Sequence, residues 1–245
     1  VMTSEISFGL APRLNAAGRL ETAMLASQLL LSEKIEDAAP NAQRLDDQNR
    51  HRQTITRAIV EEVSSMLSPK ENDYILIATN PSFNIGVIGL AASKLVETYY
   101  RPAVVGADID GFTRASCRSI PEFHFTHALD QCSDLFQKHG GHAMAAGFTI
   151  ASDKFPILKG RLKEIAEQAL SRKELKDTIR VDMMLNLTET HPQELFGCLE
   201  QIEPVGAENP DARFQSNHLQ VIEKRQLSEG RHLKLKLRTG KYVFD

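Results

Sequence analysis

Cysteine is scarce in this sequence: Cys117, Cys132 and Cys198 are the only three in 245 residues, and no two are spaced as C-x-x-C. That excludes a disulfide framework and a thiolate zinc site. It leaves buried or half-buried free thiols in a reducing compartment, so a cytoplasmic location is expected. No apolar run approaches the roughly 20 residues that cross a bilayer, so no membrane association is expected. No basic stretch followed by an apolar one opens the chain as a secretory leader would. Internal repeats and low-complexity tracts are missing too. Metal-ligand clusters are also lacking: there is no Asp-His-His, and the single Asp-x-Asp, Asp108-Ile109-Asp110, has no histidine beside it, although a two-metal phosphodiesterase needs several such ligands converging on ions about 3.5–4 Å apart. Asp46-Asp47 has only His51 nearby and reads as a solvated helix face, while Asp108 and Asp110 flank a turn. The net charge of −3 offers no overall attraction for nucleic acid. Its distribution matters more than its total. Between Arg213 and Lys241, eight Lys/Arg stand against Glu223 and Glu229, a local charge of +6.

What is present suits a soluble α/β chain of about two domains, at roughly 100–150 residues each; 42% of the residues are hydrophobic, enough for real cores. Val1 stands where an initiator Met is usual and Asp245 ends a run that reads as mid-strand, so part of a longer protein is expected. Residues 11–31 predict a helix with Pro12 in its first turn. A second helix follows Ser32, a plausible N-cap, and runs to Leu67 with an apolar stripe of Ile55, Ile59, Val63 and Leu67. Its middle, residues 46–52, is polar on every face, as in a helix that bridges domains. Ser68-Pro69 stops it. An α/β unit comes next: strands at 74–78 and 102–107 around a helix at 86–100, which implies a parallel pair. A strand at 111–119, a helix at 124–139, a strand at 146–151 and a helix at 155–173 complete it. After a charged linker at 171–177 the pattern turns to β. Val181, Met183, Leu185 and Leu187 alternate, a short helix spans 193–202, Pro204, Gly206 and Pro210 mark a long turn, and strands follow at 218–223 and 232–238. The expected layout is a helical segment at 1–68, an α/β domain at 69–175 and a small, incomplete oligonucleotide-binding barrel at 176–245.

Several places could bind an anion. The run His139-Gly140-Gly141-His142 leads into small residues ending at Gly147. Paired glycines let a backbone approach a ligand, successive N–H groups can form an anion nest, and His142 could donate to a phosphate oxygen. A plain turn before a buried strand fits the same residues. On the strand at 111–119, Arg114, Ser116 and Arg118 share one face and make a phosphate cradle, or else a solvated face. In residues 12–20, Asn15 and Arg19 are i,i+4 neighbours, and Gly18 marks a close contact or simple helix packing. The turn at 204–210 reads as a structural corner. Lys234, Lys236 and Arg238 share one strand face, with Leu233, Leu235 and Leu237 on the other as core. The cations suit a nucleic-acid backbone, although no aromatics interleave for base stacking.

In order along the chain, these motifs resemble the RecJ family of the DHH phosphoesterase superfamily. Residues 12–20 (Pro-Arg-Leu-Asn-Ala-Ala-Gly-Arg-Leu) are similar to its signature, and Gly86-Val87-Ile88-Gly89 to its helix start. Ser116-Cys117-Arg118-Ser119 is similar to its arginine strand, and residues 140–147 to the glycine–histidine hallmark of its DHH-associated domain. Residues 203–210 and His232-Leu233-Lys234 resemble segments of its oligonucleotide-binding domain. Phe83-Asn84 departs from the usual Trp-His, and Cys117 replaces a usual Ala on the side away from Arg118. The resemblance implies part of a 5′-to-3′ exonuclease acting on single-stranded DNA in repair and recombination. It implies Mn²⁺ or Mg²⁺ held by another domain, with none bound by this chain. It also implies that Arg13, Asn15, Arg19, Ser116, Arg118 and His142 face the cleft, His142 as the catalytic group, with Arg114, Ser119, Gly140 and Gly141 completing the phosphate site. A monomer is expected, with single-strand-binding protein or helicase as partners. Two other readings stay open: a phosphodiesterase for very short oligonucleotides, and a non-catalytic replication scaffold of the Cdc45 type.

Overall fold

The computed structural model describes residues 2–67, 73–190, 192–206, 208–227, 230 and 232–244. The expectations that fall on Ser68, Pro69, Ala207, Glu229 and Arg231 lie outside them. The chain divides into two compact units, Ser7–Asp177 and a second made of Val1–Ile6 with Thr178–Asp245.

The larger unit begins with three helices: α1 (Ala11–Leu20), α2 (Met24–Leu31) and α3 (Ile35–Leu67). Pro12 sits in the first turn of α1, where its missing N–H has no intrahelical partner to lose. The continuous helix expected over residues 11–31 breaks at 21–23. There the Thr22 hydroxyl accepts from Met24 N at 3.4 Å, and such local side-chain bonds compete with helix continuation. Ser32 does not cap α3 either, because its hydroxyl donates to the Gln28 carbonyl and closes α2. α3 has 33 residues, so it is about 50 Å long. Its polar middle is not bare. Leu45 and Asn49 are buried, Leu45 in a small core with Ala17, Leu25 and Ala26. Asp46 is not simply solvated, since it pairs with both Arg13 and Arg50.

The sheet of this unit has the order β1-β2-β3-β5-β4, from β1 (Leu76–Thr79), β2 (Ala103–Ile109), β3 (Phe112–Arg118), β4 (Phe136–Gly141) and β5 (Ala145–Ala151). The expected parallel pair is β1 with β2, joined through α4 (Ile88–Tyr99); the other pairings are antiparallel. Each face of the sheet has its own core. On one side, alternate residues Cys117, Ala146, Phe148 and Ile150 pack against α5 (Phe125–Asp130) and α6 (Phe155–Leu170). Leu158, Leu162, Ala166 and Leu170 recur every fourth residue on α6 and are all buried. On the other side, Ile59 and Val63 of α3 and Ile88, Ala91 and Leu95 of α4 cover Leu76, Ala78, Val105 and Ala107.

The largest departure from expectation lies at residues 124–139. Only α5 and a 3-10 turn, Ser133–Leu135, are helical, and β4 follows. Local periodicity favours helix there. Pairing with β5, which is a tertiary contact, turns the last four residues of the stretch and the glycine pair beyond it into an edge strand.

In the second unit, β6 (Met183–Met184) pairs with β7 (Phe214–Gln215), and β8 (Gln220–Leu227), β9 (His232–Thr239) and β10 (Tyr242–Phe244) form an antiparallel meander; α7 spans Pro192–Glu200. The expected strand at 181–187 is thus two residues long, and these sheets do not close into a barrel. The expected leucine core is not formed among the described residues. Leu233 is 52% exposed, and Leu235 and Leu237 are half-buried. Cys198, expected at least half-buried, is exposed. The turn after Glu203 is a structural corner: the Asn209 side-chain amide donates to the Ile202 and Pro204 carbonyls at 2.8 and 3.0 Å.

Candidate functional site

The helices α3 and α4 cover β1 and β2 on their sheet face, and α4 reaches the near edge of β3. The rest of that face, on β3, β5 and β4, carries the candidate site. Opposed residues in neighbouring strands share a face. Ser116 pairs with Gly147, and Gly147 with Gly140, so a hydroxyl and two glycines make one row. Arg118 pairs with Ala145 in the next row. Arg114, two residues before Ser116, shares this face and is exposed. The opposite face carries Ala115, Cys117, Ala146 and Phe148, all buried. The result is a shelf floored by glycine and alanine, with Ser116 and Arg118 along one side.

β4 leaves the sheet in a tight turn. Gly141 has φ of 141°. A Cβ there would lie 2.5 Å from the Ala145 carbonyl oxygen and from Ala146 Cα, so only glycine fits. Gly140 differs, since a Cβ would meet nothing within 4 Å; its openness leaves the shelf approachable. The turn is closed by His142 N donating to the Ala145 carbonyl at 2.8 Å. His142 therefore stands in the row of Arg118, two strands away, roughly 10 Å along the hydrogen-bonding direction. Its ring is exposed and has no partner among the described residues, whereas His139 is tied to Asp130 at 3.0 Å. The glycine pair is thus a strand end rather than a separate loop, and the histidine beyond it is available.

Two glycines at the start of α4 bring the remaining groups in. A Cβ on Gly86 would lie 1.8 Å from the Arg19 carbonyl oxygen. That contact lets the end of α1 seat against the α4 turn, where the Arg19 guanidinium donates to the Gly86 carbonyl at 3.3 Å. A Cβ on Gly89 would lie 2.9 Å from Arg118 Nη2 and 3.4 Å from Ser116 Oγ, so both polar groups rest on bare backbone. Arg118 also donates to the Cys117 carbonyl at 2.8 Å. Burial holds its pKa below the ordinary guanidinium value; the Arg19 charge adds to this, and Cys117 opposes it. Burial likewise pushes the Cys117 thiol up, beyond any ordinary titration. Arg52 of α3 has a lowered pKa as well, first through burial and then through the Arg19 charge. Among the described residues, no carboxylate lies within 4.0 Å of Arg19, Arg52 or Arg118.

Two of the residues expected at the site are committed elsewhere. Arg13 donates to Asp46 at 2.8 Å and to the Gly9 carbonyl at 2.6 Å, so its charge is neutralised inside the helical layer. Ser119 is buried, and its hydroxyl donates to the Phe123 carbonyl at 2.5 Å. Asn15 is exposed one helical turn before Arg19. Lys234, Lys236 and Arg238 belong to the other unit, where Lys234 faces Arg225 and Lys236 faces Glu223 across the ladder. Arg52, in a stretch that reads as uniformly polar, is held by Asn49 Oδ1 at 3.2 and 2.9 Å. The spacing Asn49-x-x-Arg52, one helical turn, was the available signal.

Comparison with known proteins gives the family. Residues 72–171 match the DHHA1 domain and residues 181–245 the RecJ OB domain. The single-stranded-DNA-specific exonuclease RecJ of Bacillus subtilis is 33% identical over 244 residues, 98% of this chain. The chain belongs to the RecJ family. RecJ of Escherichia coli is also 33% identical, across 95% of this chain. The crystal structure of Thermus thermophilus RecJ in complex with Mn²⁺ superposes with a TM-score of 0.84 at 29% identity, covering 99% of this chain. The chain spans 31% and 41% of the two curated relatives and 35% of the Thermus chain.

Proposed function

We propose that this chain is the substrate-holding part of a single-stranded-DNA-specific 5′-to-3′ exonuclease of repair and recombination. The observation that supports it is the convergence of the Arg19 and Arg118 guanidiniums and the Ser116 hydroxyl on a glycine-floored shelf without a carboxylate. Arg binds phosphate through a planar fork, and donors fixed before the substrate arrives stabilise the charge that develops on a phosphate during its displacement. His142, exposed at the shelf's end, donates to a phosphate oxygen in this reading. Arg114 extends the cationic edge, and Asn15 orients substrate beside Arg19. Residues 69–175 hold the reacting end of the strand. Residues 176–245 hold the strand beyond it through Lys234, Lys236 and Arg238. Residues 1–68 link the site to the remainder of a longer, cytoplasmic, monomeric enzyme that works beside single-strand-binding protein or helicase.

The family relatives include RecJ structures solved with Mn²⁺ and with Mg²⁺. Among the described residues of this chain, no three His, Cys, Asp or Glu side chains gather to hold such an ion. In this reading the chain's own residues bind the strand, orient it and stabilise charge on the phosphate.

In the longer protein, His142→Ala is expected to lower turnover on single-stranded DNA by more than about tenfold. The 245-residue chain alone, given Mn²⁺ and the same substrate, is expected to release no nucleotides. Turnover unchanged by His142→Ala, or metal-dependent degradation by the chain alone, contradicts the assignment.

A further inference from the structure

The sheet face that carries the shelf continues past it. Arg114 of β3 pairs with Thr149 of β5, and Thr149 with Lys138 of β4. Side chains two residues apart on a strand share a face, so this row lies beside the row of Ser116, Gly147 and Gly140. The two rows are about 7 Å apart along the strands. The second row has a cation at each end and a hydroxyl in the middle. Lys138 owes its place there to an irregularity in β4. Phe136 is opposite Ile150 and packs on the buried core, and the register then shifts before Lys138 meets Thr149. In a regular strand Lys138 would stand opposite Phe148, on the buried face. The extra residue, Gln137, turns the lysine onto the open face, as bulges do where a side chain must be re-aimed.

The protein itself does not use these three groups. Among the described residues, Arg114, Thr149 and Lys138 make no side-chain hydrogen bond or ion pair. Arg114 and Lys138 are exposed and Thr149 is half-buried. A cavity of about 340 Å³ joins the row to the shelf: Lys138, Thr149, Gly140 and Gly147 line it, together with His139 and Phe148, and no carboxylate does. The backbones of Arg114 and Lys138 are two strand spacings apart, roughly 10 Å. Both side chains are long enough to close on an anion seated over Thr149. Arg offers a planar fork, Lys a point charge and Thr a hydroxyl donor, a set that grips phosphate oxygens and reads no base. An anion held one row from the shelf has the spacing of neighbouring phosphates in an extended nucleic-acid strand. Single strands are held without regard to sequence by such cationic tracks along the backbone.

We infer that Arg114, Thr149 and Lys138 form a second phosphate subsite, which holds the phosphodiester next to the phosphate on the shelf. The inference rests on the shelf's being a phosphate site. A strand occupies both rows at once, whereas a released mononucleotide has one phosphate and occupies one. The second row therefore retains the strand, lets the product leave and favours chains over mononucleotides.

The test is a titration of the 245-residue chain with thymidine 5′-monophosphate, which has one phosphate, and with the 5′-phosphorylated thymidine dinucleotide, which has two. The backbone amide resonances of Gly140, Gly147 and Thr149 report on this sheet face separately from the cations of β9. The dinucleotide is expected to bind more tightly than the mononucleotide by about tenfold or more. Lys138→Gln is expected to lower that ratio by about threefold to fivefold, as loss of a charge contact open to solvent does. Lys138→Arg is expected to restore it. A ratio near one in the unaltered chain, with both ligands moving Gly147, overturns the second subsite and leaves the shelf in place. A ratio that Lys138→Gln does not change also overturns it: the lysine then serves only to keep the edge strand from pairing with another chain. If neither ligand moves these resonances, the shelf reading fails, and the second subsite fails with it.

Discussion

Gly86 and Gly89 are three residues apart at the start of α4 and do different work. A methyl group on Gly86 would fall 1.8 Å from a backbone oxygen of α1, and a backbone cannot swing aside as a side chain can. Gly86→Ala is expected to destabilise the larger unit by at least about 1–3 kcal/mol, measured by denaturant unfolding. A methyl on Gly89 would meet the tip of Arg118 at 2.9 Å, which can move. Gly89→Ala is therefore expected to leave stability unchanged or raised by up to about 1 kcal/mol, since alanine is the better helix former. Its phosphate affinity is expected to fall, because Arg118 and Ser116 lose the surface they rest on. A Gly89→Ala protein that binds phosphate as the wild type does contradicts the proposed geometry. Part of the site is legible from residue identity alone. The Arg114, Ser116, Arg118 alternation was legible because strand side chains alternate. The commitments of Arg13 and Ser119 were not, because their partners, Asp46 and the Phe123 carbonyl, are set by packing.

Elements differed in how far their own sequence decided them. α6 keeps a four-residue apolar repeat, and its position was evident to within a few residues. β4 was not evident, because an edge strand owes its conformation to the neighbour it pairs with. In β9 the alternation was correct and its environment was not. The cations share a face as expected, but the leucines opposite them are exposed or half-buried. If this face tracks single-stranded DNA, the salt dependence of binding should reveal it. Replacing Lys234, Lys236 and Arg238 by glutamine is expected to flatten the log–log slope by up to about 0.7 for each cation removed. Lys236 should contribute least, because Glu223 faces it. An unchanged slope places the strand elsewhere.

At the scale of the molecule, the two units are built unequally. The unit Ser7–Asp177 has an extensive core on each face of its sheet, where a Leu162→Ala cavity would cost about 2–5 kcal/mol. The other unit has no buried apolar side chain among the described residues. Amide hydrogens of β8 and β9 are thus expected to exchange well before those of β2, β3 and β5, and denaturant is expected to unfold the chain in two steps. A single coincident transition, with equal protection in both sheets, contradicts this. The sequence by itself determined the α/β class, the parallel β1–α4–β2 unit, the cationic strand and the glycines the turns require. These follow from local rules: periodicity, strand alternation and the φ that Gly141 must adopt. Tertiary structure alone decided which arginines keep their charge. Arg13 and Arg52 look equally exposed in a list of residues, but packing gives one a carboxylate and the other an amide. That difference rests on which side chains α1, α3 and α4 bring together, and no pattern within one helix encodes it.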